Sequence, residues 1–247
     1  MKTKATRTTR RIGIIGAMKS EMDAIKDSIE SPHIDEISGI QFVRGSIHGV
    51  DVVAATCGMG KVFAGMCAQT MLLTYEPDLL IHIGVAGSLT PKLNIGDIAI
   101  ASAVVQHDMD AGGLGFTKGL VPGFEDVQFR CSEADVHMLQ ACSQALGFIT
   151  QIGVIATGDV FLEDAARKKD IAETFQAIAC EMEGGAAGQV CCANGTDFCV
   201  LRAISDNGDE NAQNDFDMSL EMAAEHARQV LDRFLANIGV GQELARG

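Results

Sequence analysis

The chain has 247 residues, of which 47% are hydrophobic and 21% charged, a composition typical of an ordinary globular domain. Its 19 basic and 33 acidic residues give a formal net charge of −14. This balance argues against a nucleic-acid or anionic-membrane partner, because both need clustered lysine and arginine. No apolar stretch approaches the length of a membrane span, and the run IGIIGAM is too short for a signal peptide.

The eight cysteines include no C-x-x-C pair, and most of them lie in apolar runs such as QVCCA and DFCVLRA. This pattern is typical of buried free thiols in a reducing compartment, so we expect a cytoplasmic protein.

Short apolar runs that alternate with helical patterns predict a single α/β domain. In chain order the predicted elements are strand 11–15, helix 19–30, strands 40–47 and 51–56, helix 61–75, strands 79–83 and 97–105, helix 132–146, strand 151–156, helix 164–174, strand 177–180, helix 183–193, strand 197–203 and helix 216–237. The pair His48-Gly49 predicts a hairpin turn. The domain is expected to cover 12–238, between a disordered basic arm at 1–11 and a C-terminal tail at 239–247.

Unusual residues stand where predicted strands end, which is where ligands bind in folds of this class. The segments are GAMKSE (16–21), CGMGK (57–61), GVAGS (84–88), CEMEGG (180–185) and ISDNGD (204–209). CGMGK is not a P-loop, because Ala55 and Val62 stand where glycine and serine or threonine are required. It also fits a dinucleotide-binding fingerprint poorly. Its glycines therefore either form a tight turn or let the backbone approach a ligand closely.

Charged residues in these segments allow two interpretations each. Glu21 is favourable in the first turn of a helix, and Asp206 is a common turn residue, so both have a purely structural interpretation. Each could instead be a catalytic carboxylate at the edge of the sheet. Arg202 lies in an apolar strand and needs a carboxylate partner, and Glu181 and Glu183 are one residue apart. We predict that one of these two acids pairs with Arg202 while the other faces a ligand.

The segment QHDMD at 106–110 contains metal-ligand types, but a solvated loop is the favoured interpretation. No metal and no cofactor are expected.

Six motifs in order carry a resemblance: GAM-x-x-E, C-G-x-G-K, G-x-A-G, G-D-x-F, EME and RAISD. From about residue 11 to about 237 the chain resembles the 5′-methylthioadenosine/S-adenosylhomocysteine nucleosidases of the nucleoside phosphorylase superfamily. The resemblance implies an α/β three-layer sandwich with a mixed central sheet. It also implies a hydrolase, linked to methionine salvage, that splits 5′-methylthioadenosine, S-adenosylhomocysteine or 5′-deoxyadenosine at the N-glycosidic bond to release adenine.

The resemblance also assigns roles to the acids. Asp206 would protonate N7 of the leaving adenine, and Glu21 would be the base for water. Glu183 would accept hydrogen bonds from the ribose hydroxyls, while Glu181 and Arg202 would order the polar cluster and the water. Together these roles supply what N-glycosidic hydrolysis needs.

The substrate pocket implied by the family has an adenine side, an apolar 5′ side and a lid from a second subunit. Phe161 would stack on the base, and backbone groups near Leu162 would read its edge. The 5′ pocket maps onto Met18, Met59, Met182 and Phe216, and the remaining expected contacts are Ala17, Val85, Gly87 and Ser205. The family is typically a homodimer, in which the lid here would be Leu114 and Pro122 of the partner.

Three positions depart from family patterns. Val85 stands where a hydroxyl residue is common, and Leu114 stands where an aromatic residue is common. Related phosphorylases hold phosphate with an arginine and a serine where this chain has His82 and Val85, which favours hydrolysis over phosphorolysis.

Several alternatives remain open at this point. The chain could cleave aminodeoxyfutalosine or another nucleoside, or it could be a purine nucleoside phosphorylase. It could also be a non-catalytic nucleoside-binding or storage protein, although the joint presence of Glu21, Glu183 and Asp206 argues against that.

Overall fold

The computed structural model describes residues 9–244, which form ten strands and six α-helices. The strands are β1 Arg11–Gly16, β2 Glu30–Ile37, β3 Ile40–Ile47, β4 Val50–Thr56, β5 Leu79–Ser88, β6 Ile98–Gln106, β7 Phe129–Arg130, β8 Thr150–Thr157, β9 Ala177–Glu181 and β10 Asp197–Asp206. The helices are α1 Lys19–Asp27, α2 Lys61–Tyr75, α3 Glu133–Ala145, α4 Ala165–Phe175, α5 Gly184–Asn194 and α6 Ala212–Leu244.

The strands form one mixed sheet that closes on itself at one side. Strands β2, β3, β4, β1 and β5 lie in that order, and β5 then pairs with both β9 and β10. The path β5-β9-β8-β6-β10 returns to β5, with parallel pairs β5–β10, β6–β8 and β8–β9. The carboxyl ends of β1, β5, β9 and β10 consequently meet in one region.

Two helical layers cover the sheet. On one face α1, α3 and α6 bury side chains such as Ile25, Leu139 and Phe234, and on the other α2 and α5 bury Met71 and Ala187. The predicted fold class, a single α/β domain with a mixed sheet between helices, is confirmed. The hairpin at His48-Gly49 is also confirmed, because both residues adopt the positive φ angles that a tight turn requires.

Strand β2 was not predicted from the sequence. Its sequence ESPHIDEI has no alternation of apolar and polar residues, and most of its side chains are exposed. It lies at the open edge of the sheet, where a proline such as Pro32 is tolerated. Because β2 begins at Glu30, helix α1 ends at Asp27 rather than at the predicted residue 30. The two-residue strand β7 was also not predicted.

Both predicted ends of the domain need adjustment. Residues 1–8 lie outside the described residues, but Arg10 pairs with Asp135 at 2.6 Å and Arg11 with Asp51 at 2.7 Å, so the predicted disordered arm does not extend to residue 11. Residues 239–244 continue α6 rather than form a separate tail. Gly239 packs so closely on the carbonyl of His48 that a Cβ would lie 2.3 Å from it. Within 9–244, no helix is both long and apolar enough to cross a bilayer.

Candidate active site

One cavity, with about 590 Å³ of space that includes the solvent at its mouth, opens where the carboxyl ends of β5, β9 and β10 meet the loop after β1. The predicted site residues that line it are Ala17, Met18, Glu21, Met59, Val85, Gly87, Phe161, Leu162, Glu181, Met182, Glu183, Ser205, Asp206 and Phe216. Ala86, Val160 and Cys180 also line it and were not predicted.

Glu21 is held by backbone N–H groups from two sides. Its Oε2 accepts from the N–H of Met18 at 2.8 Å, which caps α1, and its Oε1 accepts from the N–H of Val85 at 3.2 Å. The neighbouring Gly84 makes room for it, because a Cβ there would lie 2.5 Å from Oε1. Burial raises the pKa of Glu21, while the charge of Arg202 and these hydrogen bonds oppose that rise.

Asp206 ends β10 and is anchored by its own neighbours. The Ser205 hydroxyl donates to Oδ2 at 2.8 Å, and the N–H of Gly208 donates to Oδ1 at 2.9 Å. A Cβ on Gly87 would lie 2.7 Å from Oδ1, so β5 needs glycine beside this acid. Burial raises the pKa of Asp206 despite these hydrogen bonds, which suits a proton donor.

Glu181 lies at the centre of a buried polar cluster. Its Oε2 accepts from Arg202 Nη2 at 2.5 Å and from the N–H groups of Glu183 and Gly184 at 3.1 and 2.7 Å. Its Oε1 accepts from the hydroxyl of Thr157. The prediction that one acid of the EME motif pairs with Arg202 is confirmed, and that acid is Glu181.

Glu183 is the other acid, and it faces the cavity. Its Oε1 accepts from the N–H of Gly60 at 2.7 Å, which joins the CGMGK loop to the start of α5. Burial and the adjacent charge of Glu181 raise the pKa of Glu183 above its ordinary value.

The rest of the cavity lining is largely apolar. Met18, Met59 and Met182 form it together with Phe161 and Phe216. The two phenylalanine rings meet edge to face with centroids 5.7 Å apart, a geometry that aromatic pairs favour.

Comparisons with known proteins agree with this geometry. The family model described as "Phosphorylase superfamily" matches residues 11–236. A 5′-methylthioadenosine/S-adenosylhomocysteine nucleosidase of Shewanella halifaxensis is 38% identical over 219 residues, which cover 88% of this chain and 95% of the relative. The chain belongs to this nucleosidase family.

Solved structures of similar proteins share the fold closely. The nucleosidase from Neisseria meningitidis in complex with methylthio-immucillin-A has a TM-score of 0.89 at 27% identity, covering 92% of this chain and 99% of that one. Futalosine hydrolase of Helicobacter pylori has a TM-score of 0.88 at 32% identity, covering 93% and 98%. The three-layer phosphorylase-like architecture is thereby confirmed for this member of the nucleosidase family.

Three predicted site residues lie off the cavity in this nucleosidase chain. Arg202 is buried behind the cavity wall, where it contacts Glu181. Leu114 and Pro122 lie on the loop after β6, and both are exposed; the side chain of Leu114 is 79% exposed.

The QHDMD segment does not behave as a solvated loop throughout. His107 is buried so close to Gly158 that a Cβ there would lie 2.3 Å from its Nε2, and Asp108 pairs with Lys61 at 2.7 Å. Asp108 also accepts from the N–H of Asp159, and Asp159 accepts from the N–H of Lys61. These contacts join the CGMGK and GDVFL loops beside the cavity. Among residues 9–244, no three histidine, cysteine, aspartate or glutamate side chains cluster as a metal site would require.

The raised pKa of Glu183 predicts that this carboxylate destabilises the fold at alkaline pH. The folded state holds the proton of Glu183 more tightly than the unfolded state, so the free energy of unfolding falls as pH rises through the raised pKa. Glu183→Gln should therefore raise Tm at pH 8 by about 2–4 °C, the shift that roughly 1 kcal/mol gives in a domain of this size.

The Tm difference should disappear in acid, where the wild-type carboxyl is protonated. Asp23→Asn, at an exposed position of α1, is the matched control and should leave Tm unchanged. A Glu183→Gln variant that is less stable than wild type at pH 8 would contradict the assigned burial cost.

Proposed function

We propose that this chain hydrolyses the N-glycosidic bond of 5′-thio-substituted adenine nucleosides, releasing adenine and the thioribose. The candidate substrates are 5′-methylthioadenosine and S-adenosylhomocysteine, together with 5′-deoxyadenosine, which has no sulfur and would release 5-deoxyribose in place of a thioribose. The observation that carries the proposal is the convergence of Glu21, Glu183 and Asp206 on one cavity, each anchored by a backbone N–H group.

Asp206 is proposed as the general acid. Adenine leaves easily only when N7 takes a proton, and a carboxyl with a raised pKa retains one to give. Its hydrogen bonds with Ser205 and Gly208 fix the orientation of the carboxyl group, so the proton can be aimed at one atom of the base.

Glu21 is proposed as the base for the attacking water. Two backbone N–H groups fix its carboxylate, and the nearby charge of Arg202 favours the ionised form that can accept a proton. Arg202 and Glu181 do not touch the reacting atoms in this proposal; they set the charge and the position of the acids that do.

Glu183 is proposed to bind the ribose. Its carboxylate accepts hydrogen bonds from the 2′- and 3′-hydroxyls, and its negative charge stabilises the oxocarbenium character that develops at C1′. The N–H of Gly60 holds it in place, so the CGMGK loop supports the sugar site through the backbone.

The apolar side suits the rest of the substrate. Phe161 offers a face for adenine, and the backbone near Leu162 offers groups for its edge. Met18, Met59, Met182 and Phe216 offer a soft, polarisable surface for a thioether tail.

Water is favoured over phosphate as the nucleophile because the cavity carries negative charge. Among the described residues, its lining contains four carboxylates, no lysine, no arginine and no histidine. The nearest guanidinium, Arg202, is already paired with Glu181. A phosphate dianion would meet repulsion there without the arginine partners it needs.

A substrate panel tests the specificity. Adenine release should be fastest with 5′-methylthioadenosine and S-adenosylhomocysteine, measured in phosphate-free buffer beside aminodeoxyfutalosine, adenosine and inosine. The similarity to futalosine hydrolase of Helicobacter pylori makes aminodeoxyfutalosine the second candidate substrate. A clear preference for aminodeoxyfutalosine would move the proposal to that substrate, and binding without turnover of any of them would favour a storage protein.

The chain is further proposed to act as a homodimer in which Leu114 and Pro122 of the partner close the 5′ pocket. Both residues are exposed at a loop, and Met59 is 64% exposed at the cavity mouth. Helix α2 adds exposed apolar side chains next to that mouth, including Val62 and Phe63. Exposed apolar surface of this kind is typical of a protein interface.

Leu114→Phe tests this closure. An added aromatic contact is worth about 1 kcal/mol and should favour the small methylthio group over the bulkier homocysteine tail. The kcat/KM ratio for 5′-methylthioadenosine over S-adenosylhomocysteine should therefore rise by roughly fivefold. Leu146→Phe, at another partly exposed leucine, is the control and should leave the ratio unchanged. A fully active monomer in sedimentation would contradict the closure.

The proposed location is the cytoplasm, and the proposed role is methionine salvage. All eight cysteines are free thiols, which is typical of a reducing compartment. The thioribose product still carries the methylthio group that such a route recovers.

A further inference from the structure

A histidine that the proposed mechanism does not use lies against Arg202. His82 is on β5, is 1% exposed, and its Nδ1 is 2.7 Å from Arg202 Nη2. The same Nη2 donates to Glu181, and Nη1 donates to the carbonyls of His82 and Leu201 at 3.1 and 3.2 Å. His82 and Glu181 are therefore the two side chains that hold the guanidinium among the described residues.

The chemistry of this contact fixes the state of the ring. A guanidinium can only donate hydrogen bonds, so Nδ1 of His82 must be the acceptor and the proton must lie on Nε2. Burial and the charge of Arg202 lower the pKa of His82 well below its ordinary value, so the ring stays neutral. Nε2 has no hydrogen-bond partner in the described part of the chain. An unpaired buried donor costs stability, so this histidine is a poor choice for packing alone.

The position of the Arg202 guanidinium is important because it lies beside Glu21, the proposed base. A Cβ on Gly84 would lie 2.5 Å from Glu21 Oε1 and 3.4 Å from Arg202 Nη1, so both groups flank one glycine of β5. The charged or titratable groups that act on Glu21 are Arg202 from β10, Glu183 at the start of α5 and the thiol of Cys57 after β4. Of these only Arg202 favours ionised Glu21.

We propose that His82, as the neutral Nε2–H tautomer, is a positioning residue that holds the Arg202 guanidinium between Glu181 and Glu21. The effect of His82 on kcat rests on the proposed hydrolysis, because His82 acts by keeping Glu21 ionised through Arg202. Nη2 has two hydrogens, and with Glu181 and Nδ1 of His82 as acceptors both are used. Loss of the His82 acceptor leaves one of them unpaired and lets the guanidinium rotate away from Glu21.

Two variants separate the acceptor from the shape of the side chain. The amide oxygen of asparagine can stand where Nδ1 stands, so His82→Asn keeps the acceptor, while its amide nitrogen brings two buried N–H donors in place of the one on Nε2. His82→Leu has no acceptor. His82→Leu should lower kcat by about 10- to 100-fold, the range found when a residue that orients a metal ligand is lost, with KM little changed. The acid limb of its kcat profile should move to higher pH, because Glu21 loses the charge that favours ionisation.

His82→Asn should keep near-wild-type kcat with an unmoved acid limb, whatever the buried amide N–H groups cost in Tm. Two kinetic results would overturn the proposal. One is a His82→Leu variant that loses only Tm while kcat and its acid limb stay at wild-type values. The other is a His82→Asn variant as impaired as His82→Leu, because the acceptor would then not be the feature that matters.

A second measurement needs no variant that might fail to fold. Nitrogen-15 NMR of the wild-type protein with labelled histidine should show His82 with a protonated Nε2 and an unprotonated, hydrogen-bonded Nδ1 from pH 8 to the lowest pH at which the protein stays folded. A Nδ1–H tautomer, or protonation near the ordinary pKa of histidine, would overturn the proposal. The NMR experiment uses no substrate. Failure to cleave nucleosides would refute the proposed function, whereas the tautomer of His82 would still be tested by the NMR spectrum.

Discussion

Asp206→Asn should lower kcat for 5′-methylthioadenosine by about 100- to 10,000-fold, the range expected when general acid catalysis is lost. Asparagine keeps the shape of the side chain and can still accept from Ser205 or Gly208, but it has no proton to give to N7. KM should change little, because the apolar lining and Glu183 still bind the substrate. Single-turnover measurement of adenine release isolates this step.

Two further results bear on the role of Asp206. The raised pKa keeps Asp206 protonated to higher pH than an exposed aspartate, so the wild-type rate should fall as pH rises through that pKa, and the variant should lose this limb. Glu210→Gln, at an exposed acid four residues along, is the matched control and should be as active as wild type. A kcat near the wild-type value in Asp206→Asn would remove Asp206 from the mechanism.

Glu21→Gln should lower kcat by a similar factor, about 100- to 10,000-fold, because an amide cannot take the proton of the attacking water. The glutamine oxygen can accept from only one of the two N–H groups that Glu21 holds, and its amide nitrogen would face the other or the guanidinium of Arg202. Some misorientation will therefore add to the loss.

The Glu21→Gln experiment needs a control for helix α1 and a nucleophile other than water. Asp23→Asn lies on the same helix at an exposed position and should keep full activity. Azide, which needs no base, should restore part of the rate in Glu21→Gln. A Glu21→Gln variant with near-wild-type kcat would show that another group activates the water.

The sequence predicted the parts of the fold in which burial leaves a clear pattern. Strands β1 and β4 and helix α2 have apolar runs that end at turns or at a proline, so they were found within a few residues. Strand β2 was missed because an exposed edge strand needs no apolar side. The length of β5 was underestimated because Gly84–Ser88 resembles a loop, whereas its glycines are needed for the carboxylates packed against them.

The candidate site was predicted from motif order rather than from contacts. Cys180 was missed because a cysteine in an apolar strand carries no sign that it lines a cavity. The bond from the N–H of Gly60 to Glu183 joins residues 123 positions apart and has no local pattern. Likewise, the sequence indicated that Arg202 needs an acid partner, but not that it also contacts His82.

The most direct test of the account is the fate of oxygen when 5′-methylthioadenosine is cleaved in phosphate-free water enriched in oxygen-18. Hydrolysis by water should place one labelled oxygen at C1 of the methylthioribose and release unlabelled adenine in equal amount, and added phosphate should change neither product. Formation of a sugar 1-phosphate that depends on added phosphate, or the absence of adenine release under these conditions, would contradict it.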